Sequence, residues 1–323
     1  MAISLGAVSI PLSKTWPILL HRFFGLTPSP AWTAADTSII LDLRLPRVIS
    51  GALVGAALSV AGSVLQALLR NPLADPYVLG ISGGAAVGAV LAILFGLGST
   101  ILGGYAIPGA AFAGALLTLL FVYFLARMHG RVPIQTMLLA GVIVSAFFSA
   151  IIMFLISVTS DERLYNVTFW LMGNLEYLAS GALAAISLYL LCGCAILFSL
   201  ARDFNLMALG EETASELGVE VERVKKTAFI FTSLITGAVV SVSGLIGFVG
   251  LVVPHLVRMI WGPDHRFLIP ASALVGAMLF VLADALARTI MAPSEIPVGV
   301  VTALGGAPFF VYLLRRRGLG SSH

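Results

Sequence analysis

Apolar runs long enough to cross a lipid bilayer follow one another along almost the whole chain, separated by short polar breaks. A crossing helix needs about 20 mostly apolar residues, and such runs cover 48–69, 77–98, 101–126, 135–158, 182–200, 268–289 and 296–314. The stretch 227–260 is also apolar, but as a single helix it would be about 51 Å long. Gly244, Gly247, Gly250 and Pro254 interrupt it, which predicts two helices near 227–243 and 246–260, the second short. Segment 165–180 is apolar but too short to cross, and suits a re-entrant or interfacial helix. Met1–Leu12 reads as the last half of a first span, since twelve residues give about 18 Å of helix against a hydrocarbon core of ~30 Å. The expected fold is therefore all-α and polytopic, with nine crossings after an incomplete first, about ten in all. No separable soluble domain interrupts it, so residues 1–323 read as one transmembrane domain.

Composition closes the alternatives. Charged residues are 10% of the chain and hydrophobic ones 59%, with a mean hydropathy of +1.05; soluble domains carry about 25% charged residues. Disorder fails for the opposite reason, an apolar content too high. A formal charge of +3, scattered along the chain, does not argue for nucleic acid. Cys192 and Cys194 lie two apart, on different sides of a helix, and cannot bridge each other. Met1–Leu12 lacks a basic segment ahead of it, so no cleavable signal peptide is expected.

Basic residues set the orientation. With 201–226 inside, the inner loops hold Arg70, Arg127, Arg131, Arg202, Arg223, Lys225, Lys226, Arg258, Arg266 and Arg315–Arg317, while Lys14, Arg22, Arg44, Arg47, Arg163 and Arg288 lie outside. The two-to-one bias predicts a cytoplasmic C-terminus. One internal match, Gly55-AALSVA-Gly62 against Gly237-AVVSVS-Gly244, has Pro72 and Pro254 each ten residues further on. Five helices separate the copies, which predicts opposite orientations as in inverted-repeat transporters.

Several chemistries are missing. There is no GxxxxGK[ST] loop to cradle ATP; with no HExxH and scattered histidines, no metal site is expected. Gly80-Ile81-Ser82-Gly83 matches the GxSG of intramembrane serine proteases, which need a histidine base within reach of the serine. His255, after Pro254 and beside Arg258, is awkwardly placed for that role, and a serine flanked by glycines is more simply a close-packing device. Segment 201–226 carries ten charges. Its core GEETASELGVEVERV reads as a short helix, Glu211 to Leu217, ended by Gly218, with a second short element after it. It is either a solvated loop or a docking element for a cytoplasmic partner. RNPLADP (Arg70–Pro76) must be an ordered turn. Asp284 lies inside a span with Arg288 one turn later, which is either a functional intramembrane carboxylate or an ion pair holding the helix end.

These features coincide in one family. RLPRVISGALVGAALSVAGSVLQALLRNPLADPYVLGISGGA (Arg44–Ala85), GLIGFVGLVVPHLVRMIWGPDHR (Gly244–Arg266) and AD…R…EIPVGVVTALGGAPFF (Ala283–Phe310) resemble the permease subunits of bacterial ABC importers for iron–siderophores, haem and vitamin B12. The resemblance implies the type II importer permease fold, ten helices per subunit and a homodimer with a central pathway in the inner membrane. It further implies two separate cytoplasmic ATPase subunits, which hold ATP and Mg, and a periplasmic or lipid-anchored substrate-binding protein. This chain itself would carry no cofactor and catalyse no reaction. Arg44, Arg47 and Arg288 match the outer-rim residues that dock the binding protein. Glu211, Glu212, Ala214, Glu216, Leu217 and Gly218 fall in the ATPase-coupling segment. Asn71 and Leu73 of NPLA, and Gln135 in the turn VPIQT (Val132–Thr136), fall at the inner gate. The family has some twenty or more residues ahead of LGAVSIPL, so the first helix is expected to be incomplete here. An ion-coupled secondary transporter is the rival reading, and an intramembrane protease a weaker one.

Overall fold

A backbone inside hydrocarbon must satisfy its own hydrogen bonds; the computed structural model shows how this chain does so. It describes residues 2–6, 8–25, 32–99, 103–127, 133–175, 178 and 180–320, the last eight as backbone only. Helix α1 (Leu12–Phe24) precedes α2 (Ala34–Ser38), which runs through a π-helical turn (Ile39–Arg44) into α3 (Leu45–Leu68). These last three form one continuous 35-residue helix, about 52 Å long. Then come α4 (Ile81–Leu94), α5 (Ala106–Ala126), α6 (Ile134–Ser157), α7 (Asp161–Leu171) and α8 (Ser180–Ser199). The foot is α9 (Ala201–Met207) and α10 (Glu211–Glu216). The chain closes with α11 (Val221–Ser243), α12 (Val249–Trp261), α13 (His265–Ala287) and α14 (Val298–Gly320).

Among the described residues, six helices are long and apolar enough to cross a bilayer, and Ile81–Leu94, Val249–Trp261 and Val298–Tyr312 are shorter apolar helices. These nine fall on the nine apolar runs read as crossings. Helix α3 is the hub, packed against α13, α12, α11 and α8, while α4 pairs with α5. Glycines set the approach. A Cβ on Gly62 would lie 1.8 Å from the carbonyl oxygen of Gly250, and one on Gly55 2.2 Å from that of Gly276. Small residues are what allow such contact between helices in a membrane.

Three expectations need correcting. The described residues among 2–11 do not form the end of a span: they are turns, bends and unassigned backbone, and the helix begins only after Pro11, its extended N-cap. Segment 165–180 is not a helix of its own; α7 starts earlier, at Asp161, and stops at Leu171. Beyond it Gly173 takes φ +77°, where a Cβ would lie 2.3 Å from the carbonyl oxygen of Leu245. And no second short element follows Gly218, because Val221 already opens the long α11.

Candidate functional site

The sequence-predicted residues gather at the two ends of the bundle. At the end that the charge pattern predicts to face outward, Arg47 at the start of α3 meets Asp284 near the end of α13. Asp284 Oδ1 accepts from Arg47 Nε at 3.0 Å, and its Oδ2 accepts from Arg288 Nε at 2.9 Å. Arg47 Nη1 also reaches Glu295 Oε2 at 2.9 Å. The i,i+4 ion pair expected of Asp284 and Arg288 is therefore formed within α13, and a second helix, α3, joins it through Arg47. Asp284 is 1% exposed; a buried carboxylate costs several kcal/mol of desolvation unless it is fully paired.

The rim arginines are not the exposed charges expected of them. Arg44 is 7% exposed and Arg288 4%, because Ala2, Ile3, Ser4, Leu5 and Val8 lie over them. Arg44 Nη1 donates to the carbonyls of Ile3 and Ser4, both at 3.1 Å, and Nη2 to that of Val8. Arg288 donates to Leu5 O at 2.9 Å and Ala2 O at 3.4 Å. The five accepting carbonyls belong to non-helical residues that turn toward the two guanidinium groups. Three arginines face two carboxylates, so one positive charge is balanced only by neutral acceptors.

At the foot, the end predicted to face inward, α10 matches the predicted Glu211–Leu217 helix to within a residue. Leu217 is its C-cap, and Gly218 leaves it at φ +86°, the left-handed turn that favours glycine. Ala214 is fully buried, whereas Glu212, Glu216 and Leu217 point outward. Glu211 pairs with Lys225 on the first turns of α11, which fixes the foot to that helix. Asn205 on α9 clasps the start of α13: its Nδ2 donates to Asp264 Oδ1 at 2.6 Å, and its Oδ1 accepts from His265 N at 2.9 Å. The Arg266 backbone N–H, then the Asn205 amide, hold the Asp264 carboxyl below its ordinary range.

Between α3 and α4 lies the RNPLADP turn. Asn71 Oδ1 accepts from Leu73 N at 2.9 Å, and Asn71 O from Ala74 N at 3.1 Å; both Asn71 and Leu73 are exposed. Asp75 caps the short helical turn Pro76–Leu79 by accepting from Tyr77 N. Desolvation pushes its carboxyl up to about 6 against that hydrogen bond. Gln135, on the first turn of α6, is exposed as well; Val132 of the same turn lies outside the described residues. Sequence reading missed Gln66 and Asn205. Gln66 Nε2 donates to Ala74 O and Leu251 O, and its Oε1 accepts from Arg258 Nη1 at 3.0 Å, which ties the turn to α12. Its only signal was being a lone amide in an apolar run.

The glycines after the GxSG serine are close-packing positions. A Cβ on Gly84 would lie 1.8 Å from Thr118 Oγ1, and one on Gly83 would meet the Phe148 ring. Ser82 sits on α4, which packs against α5, α6 and α11. His255 sits on α12, with its ring 6.0 Å from that of Phe310.

Residues 1–316 match the model of the FecCD transport family. The chain is 47% identical over 279 residues to the cobalamin import system permease protein BtuC of Halobacterium salinarum, covering 86% of this chain and 74% of that one. It is 43% identical over 317 residues to the hemin transport system permease protein HmuU of Yersinia pestis, covering 97% and 90%. A solved metal-chelate type ABC transporter in an inward-facing conformation superposes with a TM-score of 0.81 at 32% identity, over 94% of this chain and 98% of that one. An apolar helical bundle with a small helical foot, no nucleotide-binding loop and this likeness along nearly its whole length belongs to the FecCD transport family, as a multi-pass permease subunit of an ABC importer.

Proposed function

We propose that this permease carries an iron chelate, haem or cobalamin across the cytoplasmic membrane. It works as a homodimer with its C-terminus in the cytoplasm and the pathway between the two copies. ATP is bound and hydrolysed on two separate cytoplasmic subunits, and closure of that pair pushes on α9 and α10. The observation that carries this reading is the foot. Helix α10 buries Ala214, presents Glu212, Glu216 and Leu217 outward, and is clamped to α11 through Glu211–Lys225. A short helix under a bundle in that arrangement suits a groove on a partner, and its motion passes on as a rigid body. The asparagine turn, with Leu73 and Gln135 exposed beside the foot, suits the inner gate. On the outer side the binding protein engages Arg47, with Arg44 and Arg288 becoming available as carboxylates replace the carbonyls of residues 2–8.

Replacing Glu211–Gly218 by a neutral flexible linker should abolish co-purification of the ATPase and ATP-dependent uptake into vesicles, while leaving the bundle folded. Retained uptake that follows the membrane potential without any ATPase would instead make this an ion-coupled transporter.

A further inference from the structure

Helix α1 packs on the π-helical turn ahead of α3, at one end of the bundle. Its Ile18 packs with Ile10 and Ile40 in a small core of its own, beside Trp32, Leu19 and Leu41. Thr15 is buried on the same side, and Lys14 Nζ meets Asp36 Oδ2 at 3.1 Å. These contacts use one side of the helix. A second side carries Leu12, Trp16, Leu20 and Phe23, spaced four, four and three residues apart, which is one helical face. All four are exposed, Trp16 by 59% and Phe23 by 66%, and Phe24 adjoins them. Apart from Ser13 the remaining polar residues are basic: the last turn holds His21 and Arg22, and the first turn holds no acid.

Thirteen residues make about 20 Å of helix, too short to cross the membrane. A contiguous apolar face of this kind is not left to water. The helix sits by the outer end of α3, where Leu43 and Ile49 are also exposed and continue the apolar belt that the bundle turns to lipid. Basic residues opposite an apolar stripe containing Trp and Phe are the pattern of a helix lying in the plane of a membrane interface, and tryptophan favours that depth. We infer that α1 is an interfacial anchor that sets Leu12, Trp16, Leu20 and Phe23 into the outer leaflet of the bilayer. Its effect is to hold residues 2–11, and so the carbonyls on Arg44 and Arg288, at a fixed height. The inference needs only a membrane-embedded chain, so its test is independent of which solute is carried.

The test is collision accessibility of nitroxides at Trp16→Cys, Phe23→Cys and Arg22→Cys, in a full-length Cys192→Ala, Cys194→Ala background reconstituted in phosphatidylethanolamine–phosphatidylglycerol nanodiscs. Labels at 16 and 23 should show a ratio of oxygen to nickel-chelate accessibility several-fold above that at 22. Equal ratios at all three would place the stripe in water, and exclusion of both reagents would place protein over it; either overturns the proposal. Should the labelled variants not fold, quenching by brominated acyl chains compares the unlabelled protein with Trp16→Phe. Loss of a strongly quenched component in the variant supports the anchor, and an unchanged quenched fraction overturns it.

Discussion

Asp75 is the residue whose chemistry is most legible in isolation. Its carboxyl, raised to about 6 by desolvation, binds a proton more tightly in the folded chain than its ordinary value of 3.8 allows in the unfolded one. Ionisation therefore costs the folded state: stability is highest below about 4, falls as pH rises toward about 6, and stays at the lower level above. Asp75→Asn keeps an acceptor for Tyr77 N–H and removes that cost. Its melting transition in detergent should lie above that of the unmutated protein at pH 7, by about 1–3 kcal/mol, and the gap should close below pH 4. A variant less stable at every pH would show that the charge itself is used. From sequence Asp75 is only a turn residue after alanine; the burial that shifts it comes from how the turn packs.

Among the elements, helix contacts are fixed by glycine backbones, and α3 shows it best. The carbonyl of Gly250 occupies the space a Cβ on Gly62 would need, so Gly62→Ala must push α12 off α3. Overpacking costs about 1–3 kcal/mol in well-packed cores, and because the obstacle is backbone the loss should reach the top of that range. Thermal unfolding would measure it; an unshifted transition would mean α12 floats. The spans were readable because hydrocarbon thickness imposes a length on apolar runs. The non-helical course of Ala2–Leu5 and Val8 was not, because the partners of their carbonyls, Arg44 and Arg288, lie tens to hundreds of residues away. The Glu211–Gly218 helix was readable from its acidic start and glycine stop, which are local. The Asn205 clasp was not, since nothing near Asn205 in sequence announces Asp264 and His265.

At the scale of the whole molecule, the outer rim stores one unbalanced positive charge. Glu295, half-exposed, competes for Arg47 with any incoming carboxylate. Glu295→Gln should therefore tighten binding of the soluble partner several-fold at low ionic strength and little at high salt, where exposed charges are screened. Unchanged affinity at low salt would remove Arg47 from the docking surface. Further in, three distant segments meet with no side chain between them. Gly299 N donates to Gly173 O at 3.1 Å and Asn174 N to Ser243 O at 2.8 Å, while Cβ atoms on Gly173, Gly244 or Gly299 would each lie within about 2.3 Å of a carbonyl oxygen. One segment of that knot is the first turn of α14, so it cannot be tied until Gly299 has been synthesised. Every nascent form ending ahead of Gly299 must sit in the membrane with Gly173 unlatched from it.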